Sequence, residues 1–239
     1  MSPIGVGTAT ILTARETIFH FFRSLPICLF ITIGLFGSVQ GNANYILFAV
    51  GLGLLAPAVA VSLNMLFELI FSKIDQWAEN TTHSYWLIPN GASCTLFETL
   101  SNNPLNPMNS VPTVWTVMIA FFFTYIFTNA LTIYNHDVPS KADPTLVAAR
   151  KTRCVMSMIF IVAFFIIVLI GRFSIMHCET GLGAVLGLLT GGTLGYYWYQ
   201  FSRMCGLGQF DDIFGISNRL LSSVAAGNSA PQICVPVAN

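Results

Sequence analysis

Charge is what this sequence has least of. Only 8% of its 239 residues are Asp, Glu, Lys or Arg, against roughly a quarter in ordinary soluble domains, which excludes a water-soluble globule. The ten basic residues balance ten acidic ones. With no net positive field to neutralise phosphates, nucleic acid is excluded as a partner. Cysteine is also sparse, with six residues and no CxxC pair, which excludes a dense disulfide scaffold. Histidines 20, 83, 136 and 177 are scattered, without HExxH, paired carboxylates or a Cys/His cluster, so no metal site is expected. G-x-S-x-G, P-loop and G-x-G-x-x-G signatures are absent as well. Gly181-Leu182-Gly183 leads into an apolar helix rather than following a strand. No catalytic residue and no cofactor is assigned on this basis.

What is present is oil. Apolar side chains make up 54% of the chain, with 20 Phe and 19 Gly, and the mean hydropathy is +0.71. Phe suits a lipid-facing surface and Gly suits close helix crossings. The fold class predicted is all-α, a polytopic transmembrane helix bundle of about five spans with one sizeable polar loop. A span needs about 20 apolar residues at 1.5 Å each. Stretches 25–39, 45–71, 113–134, 154–171 and 180–199 come closest. The first is short enough for a half-span and carries Pro26 where a first helical turn tolerates it. It makes a hairpin with the second through Gly41-Asn42-Ala43-Asn44. In the second, Pro57 with Gly51 and Gly53 marks a kink.

Five regions follow from this reading. Residues 1–24 form an N-terminal interfacial segment, amphipathic over 11–23, in which Arg15, Glu16, His20 and Arg23 argue against a removable signal peptide. Residues 25–71 form the transmembrane hairpin. Residues 72–112 form an extramembrane loop rich in Asn, Ser, Thr and Pro, 113–201 a three-helix transmembrane region, and 202–239 a C-terminal tail. The tail holds the amphipathic run Asp211-Asp212-Ile213-Phe214-Gly215-Ile216, suited to docking a soluble partner or to folding back on the bundle. Arg150, Lys151 and Arg153 abut the fourth span, so their loop and the C-terminus are predicted to be cytosolic. The 72–112 loop then faces the lumen or exterior. The sequon Asn80-Thr81-Thr82 lies in it, and Cys94 and Cys178 share that oxidising side, where they are a candidate disulfide.

The most specific local pattern is Gly183, Gly187, Gly191 and Gly195. Spacing of four strips one helix face of side chains, for packing either within the bundle or between copies of the chain. The cluster Tyr196, Tyr197, Trp198 and Tyr199 follows where that helix should leave the hydrocarbon, as an interfacial anchor. Arg172, His177 and Glu179 lie between two spans and read as a solvated turn rather than an acid/base set, because a span boundary lets such groups reach water. Glu68, four residues after Asn64, marks either a polar seam or the membrane interface.

Two resemblances attach to these residues. RFSIMHCETGLGAVLGLLTGGTLG resembles the last motif of the phosphatidic acid phosphatase type 2 superfamily, where an Arg and a downstream His precede a Gly-rich helix. That family's catalysis also needs a Lys and an Arg-Pro in a first motif and a Pro-Ser-Gly-His in a second. No Arg-Pro occurs here, and the nearest approach to the second motif is Pro139-Ser140-Lys141-Ala142, so such an enzyme would be degenerate. The run CETGLGAVLGLLTGGTLGYYWYQFSRMCG, followed by DDIFGISNRLL, is similar to uncharacterised multi-pass membrane proteins of nucleocytoplasmic large DNA viruses. That resemblance implies a component of a virion's inner membrane. The expected function is therefore a non-enzymatic membrane protein that links bilayer to a protein layer. Its expected partners are the lipid bilayer, and self or capsid-type proteins through the tail. A degenerate lipid phosphatase-like enzyme and a small transporter using Glu68 stand as alternatives.

Overall fold

A computed structural model describes residues 4–41, 43–77, 87–89, 96, 108–136, 144–175 and 177–205. Apolar runs of this length satisfy their backbone groups internally only as helices, and helices dominate. In chain order they are α1 (Ile4–Gln40), α2 (Ala43–Val50), a π-helical turn over Gly51–Leu55, α3 (Ala56–Trp77), α4 (Val114–Asn135), α5 (Pro144–Ile170), a second π-helical turn over Gly171–Ile175, and α6 (Gly181–Met204). A short antiparallel ribbon, β1 (Leu87–Pro89) with β2 (Met108–Ser110), lies between α3 and α4, with Leu87 opposite Ser110.

Four stretches are long and apolar enough to cross a membrane: Glu16–Gln40, Ala43–Ile70, Val114–Asn135 and Val147–Ser174. This all-α bundle fits a multi-pass membrane protein. In α4, 67% of the most apolar window is buried, against 11% to 33% in the other three, so α4 is the axis of the bundle. The fifth expected span forms as a helix, α6, with 24 residues. It is not among the four, because its six glycines and its polar residues dilute its apolarity. Its bare face needs protein beside it, and α4 supplies that.

The first helix differs from expectation. It is neither short nor preceded by a separate segment, since α1 runs unbroken across residue 24 and its apolar part alone has 25 residues. Pro26 therefore sits deep inside α1 instead of in its first turn, and it is buried. Proline cannot donate to the carbonyl four residues earlier, here that of Phe22. The indole of Trp115 in α4 donates to that carbonyl at 2.7 Å. A donor from another helix replaces the missing one, which lets the rod continue in a medium without water.

Helix α1 packs against α2 across a tight turn, with Gly41 at φ +64°, a left-handed conformation that costs other residues more. The expected kink in the second span is the π-helical turn directly before Pro57, where the Ala56 N–H reaches the Gly51 carbonyl. The indole of Trp198 donates to the Leu47 carbonyl, one turn before it, at 3.0 Å. Gly51 admits that ring, since a Cβ there would lie 2.3 Å from the indole nitrogen.

Candidate functional site

Helices α4 and α6 run parallel and in register, joined by the return of α5. Going along the pair, Gly183 meets Val111, Gly187 meets Thr116, Gly191 meets Val117 and Ala120, and Gly195 meets Phe121. All four glycines are buried, and the face they form packs within the chain. At Gly191 and Gly195 an added Cβ would lie 2.3 Å and 2.5 Å from backbone carbonyl oxygens of α4, which cannot rotate away. Backbones approach here as closely as side-chain removal permits.

Parallel packing places two helix N-termini side by side. Thr113 caps α4 by accepting from the Thr116 N–H, and Thr180 caps α6 by accepting from the Gly183 N–H at 3.1 Å. Glu179, directly before the α6 cap, turns its carboxyl between the two ends. Its Oε1 accepts hydrogen bonds from the hydroxyls of both Thr113 and Thr116. Its Oε2 is buried with no hydrogen-bond partner among the described residues. Burial pushes the Glu179 carboxyl above the ordinary carboxylate range, while the two threonine hydroxyls and the Arg172 charge pull it back.

Arg172 completes the cluster. It lies in the π-helical turn that ends α5, is 1% exposed, and stacks its guanidinium over the Trp115 ring at 4.8 Å from the centroid. Trp115 is thus held on two sides, by its N–H on Phe22 and by a cation on its face. Phe22 in turn packs over Gly171, where a Cβ would lie 2.4 Å from the ring.

The solvated turn expected over Arg172, His177 and Glu179 is corrected by this geometry. Arg172 and the Glu179 carboxyl are drawn inward, and only His177 is exposed, at φ +50°. The reason is packing: the α4 partners of both charged groups, Trp115, Thr113 and Thr116, lie about 60 residues upstream and offer a cation–π face and two hydroxyl donors. No local signal around residue 179 announces them.

The aromatic cluster divides by helical rotation. Tyr196 and Tyr197 are exposed. Trp198 and Tyr199 turn inward, Trp198 onto Leu47 and Tyr199, 2% exposed, edge-on against Tyr125 at 5.3 Å. Residues 100° apart cannot all face lipid.

Cys178 is buried and disulfide-bonded, whereas Cys28, Cys154 and Cys205 form no disulfide among the described residues. Cys94 lies outside the described residues, as do the tail beyond residue 205 and the sequon. Cys154 is a fully buried filler, while Cys28 is exposed on α1. Glu68 is exposed on α3. Among the described residues no group of His, Cys, Asp or Glu is arranged to hold a metal ion.

At the opposite end, Arg150 is buried and donates Nη2 to the His136 carbonyl at 2.8 Å, capping α4. Lys151 lies over the Tyr134 ring at 5.7 Å. Comparison with protein families, curated proteins and solved structures gives no match for this chain.

Proposed function

We propose that this chain is a non-enzymatic, multi-pass membrane protein whose job is to organise a bilayer and tie it to a protein layer. The observation that carries this reading is the position of Glu179. An arginine beside two parallel helix N-termini is where a phosphate would be bound for hydrolysis. Here that position is filled by the chain's own carboxylate, hydrogen-bonded to Thr113 and Thr116. Arg172 is closed off beneath it with its face against Trp115. The cluster locks three helices together, and among the described residues the Glu179 carboxyl already takes the threonine hydroxyls that a substrate phosphate would use, which speaks against the phosphatase-like alternative. The exposure of Glu68 likewise speaks against the transporter, which needs that carboxylate in an aqueous passage.

The proposed setting is the inner membrane of a large DNA virus, supported by the resemblance of the run from Cys178 to Gly206 and of the DDIFGISNRLL segment. The end of the bundle bearing Arg150, Lys151, Arg153 and Arg203 is assigned to the cytosolic side by its excess of positive charge. The tail then presents to capsid-type proteins or to other copies. Phosphate release from phosphatidic acid vesicles tests the central reading. The expectation is no release above the vesicle blank while the protein stays in the pellet after alkaline carbonate extraction. Release that is lost in His177→Ala overturns it. Proteins co-sedimenting with the chain in its source particle identify the layer it joins.

A further inference from the structure

At the end of the bundle far from Glu179, α4 and α6 line a cleft of about 390 Å³. Its polar walls include Asn135 and His136 from α4 and Gln200 and Arg203 from α6, and among the described residues that line it none is acidic. Arg203 is exposed, and its guanidinium has no hydrogen-bond or ion-pair partner among the described residues. Parallel packing points the carbonyl ends of both helices here, each worth about half a negative charge, which alone would repel an anion. That charge is outweighed. Arg150 covers the His136 carbonyl, and Arg203 adds a second full positive charge in the last turn of α6.

A second observation says what sits above the cleft. Leu182, Leu189, Tyr196 and Arg203 recur every seven residues on α6, close to two helical turns, so they lie along one face. All four are exposed. From Leu189 to Arg203 the face spans about 21 Å, at 1.5 Å per residue, similar to one leaflet with its headgroup layer. Along it the chemistry runs from aliphatic through an interfacial aromatic to a cation, the order in which a phospholipid presents acyl chain, glycerol and phosphate.

We propose that this face and cleft form a specific site for one anionic phospholipid of the adjacent leaflet. The phosphate binds Arg203, with Asn135, His136 and Gln200 as hydrogen-bonding neighbours, and an acyl chain lies over Leu189 and Leu182. The proposal goes beyond the membrane-organising reading, since it assigns a ligand class, and it does not depend on the viral setting.

Native mass spectrometry of the full chain in neutral detergent, offered equimolar phosphatidylglycerol and phosphatidylcholine, tests it. Phosphatidylglycerol should be retained about fivefold over phosphatidylcholine, the ratio that about 1 kcal/mol of attraction between one arginine and a lipid of net negative charge supplies. Arg203→Ala should bring the ratio to about one, while Arg153→Ala, a cation of the same end outside the cleft, should leave it unchanged. Equal loss in both variants reduces the effect to general positive charge and overturns the site, as does an unchanged ratio in Arg203→Ala. Inorganic phosphate in a further arm separates the sources of the anion. If it binds alone and displaces the lipid at millimolar concentration, the site serves a free phosphate and the lipid assignment fails. An unaltered thermal transition for Arg203→Ala shows that the comparison is between folded proteins. Loss of phosphatase-negative behaviour elsewhere in the molecule would leave this result untouched.

Discussion

The indole N–H of Trp115 donates to the Phe22 carbonyl, the one acceptor in α1 that Pro26 deprives of its helical donor. Two residues separated by 93 positions thereby repair a break that one proline makes. Because no water competes for that carbonyl inside the bilayer, an unpaired state costs more than it would at a soluble helix surface.

This gives a prediction with a built-in rescue. Trp115→Phe keeps an aromatic face under Arg172 but removes the N–H, and should lower thermal stability in detergent by about 1 to 3 kcal/mol, the cost of one unsatisfied buried acceptor. Pro26→Ala restores an N–H to α1, so in the Trp115→Phe background it should recover most of that loss. Additive effects of the two substitutions in a double-mutant cycle would show that the proline and the indole are not coupled.

The glycine face makes a sharper comparison, between neighbours. Gly191→Ala drives a methyl group to 2.3 Å from the Val117 carbonyl oxygen and should cost about 1 to 3 kcal/mol as an overpacking change. At Gly192 the nearest atom to an added Cβ is the Thr124 hydroxyl at 3.5 Å, an ordinary contact. Gly192→Ala should therefore stabilise α6 by about 0.5 to 1 kcal/mol through helix propensity. Thermal melting of both in one detergent decides it. Equal shifts would mean that the two helices do not touch where their backbones are closest.

Much of this architecture is legible in the chain itself. Long uncharged runs announce the spans, because nothing else satisfies the backbone in lipid, and the spacing of Gly183, Gly187, Gly191 and Gly195 announces a bare face. What the runs do not announce is where polar groups meet across helices. Pro26 reads as a helix start because its remedy, Trp115, belongs to another span. Arg172 and Glu179 read as a wet turn because the threonines that draw the carboxyl inward stand 63 and 66 residues away. The four aromatics at 196–199 read as one belt because composition ignores helical phase, which sends Tyr199 to the core.

Cys178 tests the folding of the loop. We propose Cys94 as its partner, both lying on the side assigned to the lumen or exterior. Non-reducing gels should show the same loss of the compact form for Cys94→Ser and Cys178→Ser, with no change for Cys28→Ser or Cys205→Ser, which form no disulfide among the described residues. Each of the first two should cost about 2 to 4 kcal/mol by releasing a loop from the α6 end of the bundle. A compact form that survives Cys94→Ser assigns the bond elsewhere.

The carboxyl of Glu179 adds a pH dependence whose sign follows from its surroundings. Burial raises its folded-state value above the ordinary 4.5, so between that value and the raised one the folded chain holds a proton that the unfolded chain has released. Stability supplied by the protonated form is complete below the unfolded value and declines as pH rises through the folded one. Thr113 and Thr116 limit the decline by donating to the ionised oxygen, and so does the Arg172 charge. Glu179→Gln removes the titration while keeping an oxygen to accept from both hydroxyls, so its melting temperature should stay flat across the interval where that of the parent falls. A parent that gains stability with rising pH over the same interval would mean that the hydroxyls and the arginine outweigh burial, making the cluster an ionised clamp instead of a protonated one.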